Sequence, residues 1–340
     1  MSIAKSPLAT FPVGLWRHDV TTAVLKGIGL AYCASAVLRL GSFWLLNFTS
    51  VFANNIKQRY AKAGSWAVVT GGSEGIGFAL ANELAARGFN VAVIALDEPR
   101  LGEAVAAIAV AHRVETLAVP FNFWNADETQ YAALFAQLEA QVESRGGIAI
   151  LVNNVGVFYR YAMPFETAAL SEDMRLLKLN CIPQITMTKW IVPKLKAKQC
   201  GAIVTTSSIS AVIPASYLSI YSGTKSFNRS FALSLAGELM GTGIDTLVIT
   251  PHVVNTRMAW SMPKEKHREA FVVDPEPLAR DALNKLGVVV ETAGHRLHCV
   301  VRAILTSLSL ERVMKRGGQK AKESYERNKA LDAENPQRNR

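Results

Sequence analysis

The octapeptide TGGSEGIG at residues 70–77 lies between an apolar run at 65–69 and an alanine- and leucine-rich stretch at 78–86. That order reads as strand, glycine turn and helix. Gly71 permits the tight turn, Gly75 lets the backbone approach an anion, and Gly77 lets the helix pack closely on the sheet. The helix N-terminus then faces negative charge, with Ser73 and Ile76 completing the turn. A second apolar run at 91–96 completes a βαβ unit, the setting in which such a turn holds a dinucleotide pyrophosphate. The glycine spacing is GxxxGxG rather than GxGxxG.

Further continuous apolar runs fall at 117–121, 148–152, 202–206 and 246–250, separated by helical stretches. Runs of this kind suit parallel strands buried on both faces, so the expected fold is α/β, a doubly wound Rossmann sheet. The chain has 340 residues and 50% hydrophobic content, with no repeat or linker to divide the core. One large catalytic domain with appendages is expected. Cys33, Cys181, Cys200 and Cys299 have neither metal-ligand nor disulfide spacing, so no metal is expected. The net charge of +10 comes with no nucleic-acid motif. Anionic lipid headgroups or a polyanionic substrate are the expected partners, and nucleic acid is not.

Tyr221 and Lys225 stand four residues apart in IYSGTKS, with Ser208 thirteen positions upstream of the tyrosine. On a helix, positions i and i+4 share a face, which brings phenol and ammonium together. A cation ~4 Å away at an effective dielectric of ~20 contributes ~4 kcal/mol, lowering the tyrosine pKa toward the range of an acid/base catalyst. Alone, the pair is also compatible with an exposed helix face. The glycine turn makes hydride-transfer chemistry the stronger reading.

These elements, with NNVG at 153–156, Asn180 and the segment 251–256, resemble the short-chain dehydrogenase/reductase family over residues 66 to 275. Within it the chain is similar to the membrane-bound branch of very-long-chain 3-oxoacyl-CoA reductases and 17β-hydroxysteroid dehydrogenases. The resemblance implies that Tyr221 donates a proton to the carbonyl oxygen as hydride arrives. Lys225 would hold the ribose hydroxyls, Ser208 would orient the carbonyl, and Asn180 would hold a water in a proton relay. It further implies cofactor contacts at Asn122, Asn153, Gly156, Pro251, Val254 and Thr256. The cofactor it implies is NADPH, with NADH still open, because the second strand ends in Ala95 and Leu96 where a deciding residue usually stands. Glu74 occupies a place often basic in NADP enzymes, and Arg100 is a phosphate partner only if its loop folds back.

Residues 1–60 read as a leader, 61–285 as the catalytic domain, and 286–340 as an amphipathic helical extension with a basic tail. Residues 27–53 are almost wholly apolar apart from Arg39 and Asn47. A span needs ~20 such residues, so a membrane anchor is expected, either spanning or lying in the surface. A cleaved signal at 34–36 and a soluble core helix are the alternatives. Endoplasmic-reticulum membrane is the expected location. Stretch 286–310 reads as membrane-lying or substrate-covering, His295 and His298 as interfacial polar residues, and the tail from 315 as a solvated helix. Met258, Trp260 and Met262 are candidates for lining an acyl or steroid channel, and Lys264, Lys266 and Arg268 for meeting coenzyme A phosphates. The expected reaction is reduction of a long-chain 3-oxoacyl-CoA in fatty-acid elongation. A ketosteroid dehydrogenase and a catalytically silent membrane scaffold are the alternatives, and a homodimer is the expected assembly.

Overall fold

The computed structural model describes residues 13–48, 55–260 and 271–334. Two units divide at residue 51. In the first, helix α1 (Val13–Phe48) contains a 19-residue stretch, Val20–Leu38, with mean hydropathy 1.5 and none of it buried. By length and composition that stretch suffices to cross a membrane.

The second unit is built on a seven-stranded parallel sheet in the order β3-β2-β1-β4-β5-β6-β7. Its strands are β1 (Trp66–Thr70), β2 (Asn90–Ala95), β3 (Thr116–Pro120), β4 (Ile148–Asn153), β5 (Gly201–Thr206), β6 (Ile244–Ile249) and β7 (Glu291–Thr292). β1, β4 and β5 are buried along their whole length, as strands covered on both faces must be. Crossover helices α3 (Gly75–Ala86), α4 (Pro99–His112), α5 (Glu128–Gln141), α6 (Leu170–Lys198) and α7 (Ser219–Glu238) connect them. α3 packs on α4 and on α9 (Pro275–Leu283), while α6 packs on α7. α5 joins α6 through stacked Phe135 and Trp190 rings, 4.9 Å apart. The strand order reverses between β1 and β4, and crevices at such a switch point receive ligands beyond the strand C-termini.

Short helix α2 (Ile56–Tyr60) is capped by the Asn55 side chain, which accepts from Gln58 N. Arg59 Nε and Tyr60 Oη both donate to Asp245 of β6, at 2.8 and 2.9 Å, and Tyr60 is fully buried. Helices α8 (Arg257–Trp260), α10 (Arg296–Ser307) and α11 (Leu310–Glu334) complete the unit.

The segment expected as a purely helical extension from residue 286 contributes β7, which pairs with β6 through Val248 and Ile249. Among the polar residues of this stretch, half-buried Glu291 is held by Arg229 at 2.7 Å and by Arg302 at 3.2 Å, while Arg296 is exposed. Burial of His298 likewise replaces the expected interfacial position, at 1% exposure. The tail is not simply solvated, because α11 buries Asn328 and bonds through Asp332 to Arg160 and Tyr161. Met262, Lys264, Lys266, Arg268 and the side chains of Arg39, Asn47 and Trp260 lie outside the described residues.

Candidate active site

The glycine turn joins β1 to α3 against the loop that follows β4. Gly71 and Gly75 have φ of +63° and +58°, backbone that glycine adopts without a Cβ penalty. A Cβ on Gly71 would sit 2.9 Å from Val155 Cα, and one on Gly77 would sit 2.1 Å from Gly71 O. The turn is therefore closed to side chains on two sides. Glu74 is the N-cap of α3 but makes no side-chain cap bond. The first N–H groups of a helix lack intrahelical acceptors, so those of Gly75, Ile76 and Gly77 are suited to an anion. A Cβ on Gly75 would meet Thr256 Cγ2 at 3.2 Å, which places the segment after β6 across the crevice from the turn. The cradle fits a dinucleotide diphosphate.

Across the switch point, Asn154 rather than Asn153 faces the turn. Its Nδ2 donates to Gly71 O at 3.0 Å and to Thr70 O at 3.2 Å. Asn153, expected as a cofactor contact, is buried and donates to Thr188 of α6 at 2.9 Å. Neighbouring strand-end residues alternate faces, and the doublet alone does not say which one points to the crevice. Asn122 Oδ1 accepts from Trp124 N at 3.0 Å, closing the turn after β3. Val254 is buried and pairs with Val273 through a parallel bridge. Pro251 O accepts from Ile209 N at 2.9 Å, tying the end of β6 to the residue after Ser208.

Tyr221 and Lys225 occupy adjacent turns of α7, as their spacing requires. The Ser208 side chain lies beside the Tyr221 hydroxyl and acts to lower its pKa. Lys225 is buried, and its Nζ donates to Thr206 O at the end of β5, 3.2 Å away. Its Nζ lies 5.9 Å from the Tyr221 ring centroid. Asn180 Oδ1 accepts from Val157 N at 2.7 Å, while its Nδ2 donates to Val157 O at 3.1 Å and to Thr224 Oγ1 at 3.0 Å. The Asn180 carbonyl accepts from Asn228 Nδ2 at 2.7 Å. A Cβ on Gly156 would be 3.1 Å from Asn180 Oδ1 and 3.3 Å from Lys225 Nζ, so glycine there lets the two groups converge.

The electrostatics correct one expectation. Burial pushes the Tyr221 phenol up to about 12, with Ser208 acting in the opposite direction. Burial likewise pushes the Lys225 ammonium down to about 8. Desolvation disfavours the charged form of both groups and is the largest effect on each. In this state the phenol is held as a proton donor.

Several residues of the site carry no local sequence signal. Phe158 packs edge-on against Tyr221 with ring centroids 4.7 Å apart, and Met163 and Leu218 join the same apolar cluster. His298 Nδ1 accepts from His252 N at 3.3 Å, and its Nε2 lies 3.3 Å from Phe271 O. Burial, the largest effect, takes the His298 pKa down to about 4. The neutral ring with a proton on Nε2 satisfies both contacts. Arg100 folds back over the glycine turn to Glu74 at 3.0 Å and also holds Glu98 at 3.0 Å. Met258 is 44% exposed on α8.

A family model for short chain dehydrogenases matches residues 65–267. A very-long-chain 3-oxoacyl-CoA reductase of Neurospora crassa is 30% identical over 269 residues, covering 78% of this chain and 76% of the relative. A Caenorhabditis elegans protein bearing a steroid dehydrogenase name is also 30% identical, over 77% of this chain and 82% of its own. The solved structure of a short-chain dehydrogenase from Sphingobium yanoikuyae in complex with NADPH is 25% identical. It aligns with a TM-score of 0.58 over 65% of this chain and 83% of that one.

Replacing Gly77 by alanine drives a Cβ into Gly71 O. The expected outcome is a stability loss of ~1–3 kcal/mol or more with loss of dinucleotide binding, read by denaturant unfolding and by quenching of protein fluorescence on cofactor titration.

Proposed function

The chain belongs to the short-chain dehydrogenase family, on the branch of the 3-oxoacyl-CoA reductases and steroid dehydrogenases, and we propose that it reduces a long-chain 3-oxoacyl-CoA to the 3-hydroxyacyl-CoA with NADPH. Membership makes it an NAD(P)H-dependent oxidoreductase of carbonyl and hydroxyl groups, and the presence of Asn180, Ser208, Tyr221 and Lys225 together speaks against the silent scaffold. The observation that carries the proposal is the convergence of Tyr221, beside Ser208, with Lys225 one turn along α7 and Asn180 beside Gly156.

When bound, the nicotinamide supplies hydride to the carbonyl carbon. The residues of this chain manage the oxygen and the proton. Ser208 and Tyr221 present two hydroxyls to one carbonyl oxygen, which orients it and stabilises charge developing there. Tyr221, protonated because burial holds its pKa at about 12, transfers its proton to that oxygen. Lys225 stabilises the phenolate left behind. Asn180 fixes the loop at Val157, and the second lone pair on its oxygen suits a water that resupplies the proton. The starts of α3 and of the 153–156 loop hold the diphosphate and ribose, with Asn154 in the place expected of Asn153 and with Thr256 facing Gly75.

NADPH is favoured by Arg100. The end of β2 supplies no carboxylate at Ala95 or Leu96 to accept from a ribose 2′-hydroxyl. Arg100 does fold back, and its guanidinium stands between the β2 end and the glycine turn, where a 2′-phosphate displaces Glu74. Helix stretch Val20–Leu38 favours a membrane location, which we assign to the endoplasmic reticulum because a long-chain acyl substrate partitions there. The ketosteroid reading keeps its place through the steroid dehydrogenase relative. A homodimer fits the exposed apolar residues Met174, Leu177 and Ile182 of α6.

Purified full-length protein is expected to oxidise NADPH on addition of a long-chain 3-oxoacyl-CoA, and Tyr221→Phe to lower the rate ~10²- to 10⁴-fold. Turnover of ketosteroids alone would overturn the substrate assignment. The pH profile has a definite sign. Reduction needs the Lys225 charge, so kcat/KM is level below about 8 and falls above it; a rise across that range contradicts the role. Arg100→Ala is expected to weaken NADPH binding ~10-fold or more while leaving NADH binding unchanged, by fluorescence titration of both.

A further inference from the structure

We infer that helix α11, which lies beyond the residues matched by the family model, is part of the substrate site, with Asp332 and Tyr325 as positioning residues for the wall beside Tyr221. This deepens the reductase reading and rests on Tyr221 being the proton donor.

The wall is the loop that leaves β4. Phe158 touches the Tyr221 ring, and Met163 packs in the same cluster. The residues that follow Phe158 are tied to two other parts of the fold. Tyr159 donates to Asp173 of α6. Arg160 and Tyr161 both donate to Asp332 of α11, each at 2.9 Å. Asp332 is only 15% exposed, so these charge-assisted bonds form largely away from water. Tyr325, two turns earlier on the same helix, faces Tyr161 and Tyr217 at ring-centroid distances of 6.4 and 6.3 Å.

Tyr217 belongs to the second wall, the segment just before Tyr221. Its φ of +67° is left-handed, a conformation that a non-glycine residue holds only when its surroundings fix it. Its carbonyl accepts from Met163 N at 3.0 Å, which joins the two loops. Close approach by α11 supplies the other constraint. A Cβ on Gly318 would be 3.2 Å from Ser216 Oγ, so glycine brings the helix backbone against that loop. One helix thus grips both walls of Tyr221. Substrate binding therefore depends on α11.

The test uses the full-length protein with Asp332→Ala, Asp332→Asn and Tyr325→Ala. For the two alanine variants we expect a rise of ~10-fold or more in KM for the carbonyl substrate, with the dissociation constant for NADPH unchanged. Asp332→Asn keeps one acceptor oxygen, enough for one of Arg160 and Tyr161, and should recover part of the loss. Amide hydrogen exchange at residues 157–163 and 216–218 should accelerate in both alanine variants, and this readout needs no substrate. An unchanged exchange rate, or a KM equal to that of the parent, overturns the inference. A matching loss of NADPH binding also overturns it, since α11 would then be a general stabiliser. Failure to reduce any 3-oxoacyl-CoA with exchange still accelerated overturns the substrate reading and leaves the role of α11 standing.

Discussion

One buried hydroxyl sets the geometry on which the site depends. Thr70 Oγ1 donates to Val152 O at 3.1 Å and accepts from Asn154 N and Val155 N at 2.9 and 3.2 Å. It thereby fixes the ends of β1 and β4 relative to each other where the sheet order reverses. Asn154 can then reach Gly71 and Thr70 carbonyls, and Gly71 can lie against Val155 with no room for a Cβ. Loss of that register would displace the glycine turn and the 155–157 loop together. The loop in turn holds Asn180, and Asn180 holds Thr224 between Tyr221 and Lys225.

The active pair shows how burial and spacing act together. Helical spacing brings Tyr221 and Lys225 to one face, and the surrounding core withdraws water from both. An ammonium at 6% exposure is costly unless it has acceptors, and here the Thr206 carbonyl supplies one. Both pKa values move toward the neutral form. The phenol therefore keeps its proton.

The elements that sequence made legible are local. Continuous apolar runs located the six longer strands within a residue or two; five of them are buried along nearly their whole length, which leaves little choice of residue type. The glycine turn and the i, i+4 pair were legible for the same reason: their geometry is complete within eight residues of chain. What stayed hidden depends on partners far along the chain. His298 meets His252 at a separation of 46 residues, and Arg160 meets Asp332 at 172. β7 has only two residues, too short for any periodicity, and its Glu291 reads as a helix polar position until Arg229 is placed beside it. The tyrosine pKa is not legible in the spacing, which reveals a neighbouring charge and says nothing of the water removed around it.

The position of α11 in the chain gives it a further meaning. Every strand of the sheet, the glycine turn, Tyr221 and Lys225 lie within residues 66–292, whereas the bond from Arg160 to Asp332 spans 172 residues and closes near the end of α11. Clipping before residue 332 would leave every strand present and remove the one carboxylate that holds both Arg160 and Tyr161.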